Sequence, residues 1–255
     1  MNPTALIRAV PDSFADALVM GERPRIDVER ARIQHHAYKS LLEDAGYSVV
    51  NVDADEAHPD CPFIEDAAVV LDTLAVITRP GAPQRRGETR PVAAALEPML
   101  SIRRIEAPGT IDGGDVLRMG STVYIGLSTR TNGEANDQFA AFAADDGLAV
   151  IPVPVRGVLH LKSAVAAIDD ETVLIAPDCV DAEHFSQYRQ IQKAPGEAHL
   201  ASVLRLRLGR LAMTTTAPET TRRLRAAGFD PQLVDSSEFQ AADGGLTCLS
   251  ILIES

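Results

Sequence analysis

Three residues that lie far apart in the sequence have side chains suited to nucleophilic catalysis. Cys248 follows the glycine pair of an Asp-Gly-Gly-Leu-Thr-Cys segment, where glycines allow a ligand to approach the backbone closely. His160 lies in Gly-Val-Leu-His-Leu-Lys-Ser, and Asp112 begins an Asp-Gly-Gly-Asp segment. In a catalytic triad of this kind the thiolate attacks, the imidazole transfers protons and the carboxylate orients the imidazole.

Each of these residues also has an ordinary structural interpretation. A lone cysteine is more often a buried apolar side chain than a nucleophile. A histidine between apolar neighbours is more often a core residue, and Asp-Gly-Gly is typical of a turn. Both interpretations stay open for any one of the three residues taken alone.

A second group of polar residues suits a ligand that carries a guanidinium group. Glu65 and Asp66 follow an apolar Phe-Ile pair, and Asp60 lies shortly before them. A planar guanidinium prefers paired carboxylate acceptors, so this cluster predicts a cationic ligand. One or two of four arginines could hold a carboxylate of the same ligand, or all could be ordinary surface charges; they are Arg79, Arg85, Arg86 and Arg130. The acidic cluster could likewise be a solvated loop.

Composition excludes several other classes of protein. The net charge of -12 disfavours nucleic-acid binding, and no apolar run is long enough to span a bilayer. The three cysteines are odd in number and far apart, which argues against disulfides and against a structural zinc site. Phosphate-binding glycine motifs are absent. We therefore expect a cytoplasmic protein with a small cationic ligand and with no metal, organic cofactor, nucleic-acid or membrane partner.

A recurring hairpin–helix–strand unit predicts how the chain would position these residues. Turn residues between β-rich runs predict four hairpins and a C-terminal strand that pairs with an N-terminal one. The hairpins are expected over residues 67–78, 115–127, 163–176 and 202–215, and the terminal pair over 5–10 and 246–254. Helices are expected over 27–45, 88–100, 132–146, 181–192 and 218–227, and further strands over 48–52, 103–106, 149–153 and 232–234.

Such units cannot bury their own apolar faces and must pack on one another. Five of them would close into a ring, with strands inside and helices outside. Asp112 and His160 each lie three residues before a hairpin, Glu65 and Asp66 lie just before the first one, and Cys248 is expected on the last strand. Equivalent positions converge on the axis of a ring, so we expect these residues to share one pocket.

Six segments, taken in order, resemble the dimethylarginine dimethylaminohydrolase family of guanidino-group-modifying enzymes. They are PDCPFIEDAAVV, ITRPGAPQRRGE, GTIDGGDVL, YIGLSTRTN, LHLKS and DGGLTCLSILI, spread from the first quarter of the chain to its end. Any one of them is a weak signal, but the ordered set is specific. The resemblance implies an α/β fold, a five-bladed α/β-propeller of ββαβ units (the pentein fold), as one catalytic domain over residues 1–255.

The resemblance also implies a role for each polar residue. Cys248 matches the nucleophile, His160 the acid/base and Asp112 its carboxylate partner, while Glu65 and Asp66 match the carboxylates around the guanidinium. The remaining matches concern the amino-acid end of the substrate. They are Asp60, Arg85 and Arg130, the lid residue Leu18, and Ala242 as a backbone contact.

The implied reaction is hydrolysis of N-omega-methylated L-arginine to L-citrulline and methylamine or dimethylamine, through a covalent cysteine thiouronium. Two alternatives stay open. One is an arginine deiminase that releases ammonia from free arginine, and the other is a non-catalytic arginine-binding protein. The chain could be a monomer or a homodimer.

Overall fold

Short hairpins, each extended by a third strand, form separate three-stranded sheets in the computed structural model. The structure describes residues 2–22, 24–197 and 202–254. Within these residues there are fifteen strands in five sheets. In chain order the strands are β1 (Thr4–Arg8), β2 (Ser48–Val52), β3 (Ala68–Leu71), β4 (Leu74–Ile77), β5 (Ser101–Arg104), β6 (Val116–Met119), β7 (Thr122–Leu127), β8 (Ala149–Pro154), β9 (Val165–Ala167), β10 (Thr172–Ile175), β11 (Arg189–Gln192), β12 (Val203–Arg205), β13 (Leu211–Thr214), β14 (Gln232–Val234) and β15 (Ile251–Ile253).

All five sheets have the same pairing pattern. The middle strand pairs antiparallel with one neighbour and parallel with the other, as β4 does with β3 and β5. The two ends of the chain complete one sheet, because β1 pairs antiparallel with β15, with Thr4 opposite Ile253, and parallel with β2. This confirms the expected pairing of the terminal strands.

One strand from each sheet lines a central cavity of about 540 Å³. These five inner strands are β3, β6, β9, β12 and β15, and β9 contacts both β6 and β12. Five sheets arranged around one axis make the chain a five-bladed α/β-propeller, as the repeating units predicted.

Six helices lie in the described part of the chain, and several have clear sequence signals at their first residue. The side chain of Asp27 accepts a hydrogen bond from a backbone N–H at the start of α1, and Asn132 does the same for α3. Pro218, which has no N–H to satisfy, begins α5. The helices are α1 (Val28–Asp44), α2 (Thr89–Leu96), α3 (Gly133–Ala144), α4 (Leu161–Ala164), α5 (Pro218–Ala226) and α6 (Ser237–Ala241). None of them combines the length and the apolar character needed to cross a membrane.

The helix expected over residues 181–192 is wrong. Asp181 caps only a short 3-10 turn, Ala182–Phe185, and the chain then continues as β11, which pairs parallel with β10. Without this strand one edge of β10 would leave its backbone groups unpaired, and ladder hydrogen bonds satisfy them. Tertiary pairing therefore overrides the local helix signal in this unit.

His35 is a titratable residue on the buried side of α1. Its side chain is 8% exposed, and its Nε2 has no hydrogen-bond partner among the described residues. Burial, helped by the nearby positive charges of His36 and Lys39, lowers the pKa of His35 to about 4. The folded protein therefore holds this ring neutral.

We predict that His35 makes the protein sensitive to acid. Because the folded-state pKa lies below that of the unfolded chain, stability is lost as the pH falls from about 6.5 to about 4, by about 3 kcal/mol in total. His35→Leu should remove this part of the pH dependence, measured as free energy of unfolding in urea at several pH values. His36→Leu, at an exposed neighbouring position, is the control and should keep most of it. An unchanged slope in His35→Leu would contradict the prediction.

Candidate active site

Cys248 and His160 line the same narrow cavity near the axis of the propeller. Glu65, Lys162 and Thr247 line both this cavity and the larger central one, so they lie between the two. The structure thus brings the thiol and the imidazole together, although 88 positions separate them in the sequence (248 − 160).

The position of Cys248 corrects one expectation. The residue lies in a 3-10 turn, Thr247–Leu249, that precedes β15, and not on the strand itself. Its Sγ accepts a hydrogen bond from the backbone N–H of Gly245 at 3.4 Å. The bend before the turn begins at Asp243, whose φ of 59° lies in the left-handed region, so the local backbone departs from a strand.

His160 directly precedes α4, and its ring is held by carboxylates. Nε2 lies 3.0 Å from Oδ2 of Asp112, and both side chains are buried. Nδ1 lies 4.0 Å from Oδ1 of Asp66 and faces Gly114, where a Cβ atom would come within 2.6 Å of it. Glycine at position 114 is therefore required for this close approach. Nδ1 is the ring nitrogen that remains for proton transfer.

Opposing effects set the charges of these groups. Burial alone would lower the pKa of His160, but Asp66, Asp112 and Asp115 outweigh it and raise the pKa to about 9. Burial, with smaller contributions from Glu65 and Asp66, raises the pKa of Cys248 to about 12. At neutral pH the unliganded site therefore holds an imidazolium and a protonated thiol.

Glu65 has one carboxylate oxygen engaged and one available. Oε1 accepts a hydrogen bond from Nζ of Lys162 at 2.8 Å, and Lys162 also donates to the carbonyl of Gly113. Oε2 is buried and has no partner among the described residues. A buried carboxylate oxygen without a partner is costly unless a ligand donates to it. This oxygen is therefore an acceptor available to a cationic ligand in the cavity.

The residues predicted for the amino-acid end form a second, adjoining group. The backbone N–H of Leu18 donates to both carboxylate oxygens of Asp60 at 3.1 and 3.2 Å. Arg130 donates to Asp112, and its side chain is 17% exposed. Ala242 is buried and directly precedes Asp243, which lines the cavity beside Cys248.

Arg85 occupies a different kind of position. It is fully buried, and it donates to Asp66 and Glu88 and to the carbonyls of Asp60 and Phe63. Arg85 thus connects Asp60 and Asp66 by direct contacts, but it does not line the cavity beside Cys248.

Sequence reasoning missed several residues that the structure adds to the site. Lys162 could have been found from its place in the Leu-His-Leu-Lys-Ser segment, two positions after His160. Asp115 ends the Asp-Gly-Gly-Asp segment and accepts hydrogen bonds from Thr131 and from the N–H of Leu161, which fixes the start of α4.

Lys193 had no sequence signal at all. It lines the cavity beside Cys248 and donates to the carbonyl of Ser163 at 2.6 Å. Burial lowers the pKa of Lys193 to about 7. The cavity therefore contains an amine whose pKa lies close to physiological pH.

Asp66, Asp112 and His160 offer ligand atoms within 4.8 Å of one another, close enough in principle to share a metal ion. The same atoms already have protein partners, because Asp112 bonds His160, and Asp66 accepts from Arg85 and from the N–H of Gly114. This arrangement suits a positively charged acid/base.

Known proteins resemble this chain over nearly its whole length. A family model described as arginine deiminase matches residues 64–210. The N(G),N(G)-dimethylarginine dimethylaminohydrolase of Streptomyces coelicolor is 40% identical over 97% of this chain and 95% of its own length. The enzyme of the same name from Pseudomonas aeruginosa is 32% identical over 96% and 97%. A solved structure from Pseudomonas aeruginosa, a cysteine-to-serine mutant complexed with citrulline, matches with a TM-score of 0.94 at 31% identity and covers 99% of this chain and 100% of that one.

We predict that Asp66 is a main cause of the high pKa of His160. Asp66→Asn removes a negative charge 4.0 Å from Nδ1, so the pKa of His160 should fall from about 9 by at least about one unit. The measurement is an NMR titration of the imidazole. Asp72→Asn, which changes an exposed aspartate paired with Arg118, is the control and should leave the titration unchanged. A pKa that stays near 9 in Asp66→Asn would contradict this assignment.

Proposed function

Because this chain belongs to the dimethylarginine dimethylaminohydrolase family, within the arginine deiminase superfamily, we propose that it hydrolyses N-omega-methylated L-arginine to L-citrulline and methylamine or dimethylamine. One observation carries the proposal. Cys248, His160 and Glu65 line one cavity with a thiol, an imidazolium and a carboxylate, and Oε2 of Glu65 has no hydrogen-bond partner among the described residues. These groups are a nucleophile, an acid and an acceptor for the guanidinium.

In the proposed complex the guanidinium lies between Cys248 and Glu65. Oε2 of Glu65 accepts a hydrogen bond from it, and Asp66 contributes a second negative charge. Bringing a cation into a buried site favours the thiolate over the thiol, since opposite charges stabilise each other strongly where water is excluded. Substrate binding thereby lowers the pKa of Cys248, which is about 12 in the unliganded protein, and the thiol proton passes to solvent because His160 is already protonated.

The first half of the reaction forms a covalent intermediate. The thiolate of Cys248 attacks the guanidinium carbon, and the N–H of Gly245 already points at the sulfur. His160 transfers its Nδ1 proton to the departing nitrogen, the C–N bond breaks, and methylamine or dimethylamine leaves. Asp112 holds the imidazole through Nε2 during this transfer.

The second half releases citrulline. His160, now neutral, takes a proton from a water molecule that attacks the carbon of the thiouronium. The C–S bond then breaks and returns the thiolate. The proton that His160 took from water restores the imidazolium for the next cycle, and the surrounding carboxylates stabilise it. The remaining hydroxyl proton of the tetrahedral adduct passes to solvent as citrulline forms.

The amino-acid end of the substrate is assigned to the second group of residues. We propose that Asp60, together with backbone groups of Leu18 and Ala242, binds the α-amino group, and that Arg130 binds the α-carboxylate. Arg85 adds positive charge beside Asp60. These assignments are supported by the contact of Leu18 with Asp60 and by the partial exposure of Arg130.

Residues 1–255 are proposed to act as one catalytic domain with the small cationic amino acid as its partner, either as a monomer or as a homodimer. A reducing compartment such as the cytoplasm suits the three cysteines, all of which are free thiols.

Citrulline formation from a panel of substrates tests the proposal. We expect turnover of asymmetric dimethylarginine or monomethylarginine to exceed that of arginine, with the released amine identified by mass spectrometry. Ammonia from arginine as the main product would favour the deiminase, and tight binding without turnover would favour a binding protein.

Cys248→Ser should lower citrulline formation by at least about a thousandfold, whereas Cys179→Ser, at a thiol outside the cavity, should keep it. Citrulline release at the parental rate by Cys248→Ser would remove the covalent route.

A second prediction concerns the thiol itself. At pH 8 the unliganded protein should show no thiolate absorbance near 240 nm from Cys248, because its pKa is about 12. Addition of a cationic arginine analogue that does not react should produce this absorbance, and neutral citrulline should not. Cys248→Ser is the blank for the signal. Equal absorbance with and without the cation would contradict activation of the thiol by substrate charge.

A further inference from the structure

A buried guanidinium lies between two carboxylates beneath the site. The side chain of Arg85 is 5% exposed, and its Nη1 donates to Oδ2 of Asp66 at 2.6 Å. On its other edge Nε and Nη2 donate to the carboxylate of Glu88, with distances of 2.8–3.2 Å. The guanidinium thus makes a bidentate pair with Glu88, the geometry that fixes its orientation best, and a single short hydrogen bond with Asp66.

Asp66 uses its two oxygens for different purposes. Oδ2 faces Arg85, while Oδ1 accepts the N–H of Gly114 at 2.9 Å and lies 4.0 Å from Nδ1 of His160. The hydrogen bond from Arg85 to Oδ2 therefore helps to fix the orientation of this carboxylate. A rotation that moved Oδ2 away from Arg85 would also move Oδ1 away from the imidazole.

Glu88 determines where Arg85 can lie. The two residues share one 3-10 turn, Pro83–Glu88, and the side chain of Glu88 is 3% exposed with Arg85 as its charged partner. The backbone carbonyl of Glu88 accepts a hydrogen bond from buried Arg8, which connects the turn to β1. Glu88 is thus both fixed in place and directed at Arg85.

We propose that Glu88 is a positioning residue, which holds Arg85 in the orientation from which Arg85 fixes the carboxylate of Asp66 beside the imidazole of His160. Glu88 touches neither the cavity nor the reacting atoms. It acts through two ion pairs in series, and a buried ion pair that loses one partner leaves the other charge uncompensated.

Removing the negative charge of Glu88 is expected to lower the pKa of His160. With Glu88 neutral, the whole positive charge of Arg85 acts on Asp66, and less negative potential remains to stabilise the imidazolium. The pKa of His160 therefore falls. The charged groups that surround the imidazole are Asp66, Asp112, Asp115 and Glu65 as anions, with Arg85, Arg130 and Lys162 as the cations that pair with them.

The test compares Glu88→Gln with Glu88→Asp and with a matched control. Glu88→Gln keeps the shape but removes the charge, so the pKa of His160 by NMR should fall by about one unit, and kcat for methylarginine should fall about tenfold with a smaller change in KM. Glu88→Asp keeps the charge and should keep the pKa within about half a unit. Glu238→Gln makes the same change at another buried glutamate, one beside Arg30, and should not move this pKa.

The pKa measurement needs no activity, so it tests the proposal even if the proposed substrate is wrong. An unchanged pKa of His160 in a folded Glu88→Gln protein would overturn it. If Glu88→Gln does not fold, Arg85→Lys replaces it, because lysine keeps the charge but cannot meet both carboxylates as a fork. A lower pKa of His160 in Arg85→Lys supports the proposal. A rise in KM with no change in the pKa would instead make Arg85 a direct ligand of the substrate and overturn it.

Discussion

The imidazolium of His160, buried among carboxylates, is the interaction on which the rest of the site depends. Removing a charged ring from water is costly, and only several nearby opposite charges can offset that cost. The propeller provides them because the segments before its inner strands meet at the axis. Asp66 precedes β3, and Asp112 and Asp115 precede β6, whereas His160 itself precedes α4 and β9. Equivalent points of neighbouring blades therefore supply both the charge and its partners.

The glycines of the two Asp-Gly-Gly segments follow from the same crowding. A Cβ at position 113 would lie 2.0 Å from the carbonyl oxygen of Glu65, and one at position 244 would lie 2.1 Å from the ring of Phe63. Such distances are impossible for any larger residue unless the backbone at Glu65 or the ring of Phe63 moves. The glycines are thus required because inner segments of different blades come into direct contact, and this contact places Cys248 and His160 within one cavity.

Local sequence signals predicted most of the fold, and the predictions that were wrong failed for physical reasons. Hairpins with tight turns, such as β3 and β4, were found because β-branched residues and turn residues are local features. The segment over residues 181–192 was assigned wrongly because the edge of β10, which it completes, is remote in sequence. The same limit explains the turn at Cys248. The bend begins with a left-handed residue, Asp243. The glycines that follow it, Gly244 and Gly245, pack against Phe63 and Ser202, which belong to other blades.

The site was predictable in a similar, partial way. Residues that occur in recognisable ordered segments, among them Cys248, His160 and Asp112, were expected near one another, and the structure brings them together. Glu88 and Lys193 were missed because what distinguishes them is burial and the charge of their neighbours. These properties exist only after the blades have closed. A sequence pattern can indicate which groups carry the chemistry, but the groups that set their pKa values are defined by packing.

The combination of a protonated thiol and a charged imidazole makes reactivity depend on the charge of the ligand. A thiol with a raised pKa is a poor nucleophile, so Cys248 is protected until a cation lies beside it. In the proposed mechanism Oε2 of Glu65, which has no hydrogen-bond partner among the described residues, accepts from such a cation, and the cation then stabilises the thiolate. Citrulline is neutral and gives no such stabilisation, so hydrolysis removes the charge that activated the nucleophile. In this mechanism the thiol therefore returns to its unreactive, protonated form once the neutral product is made.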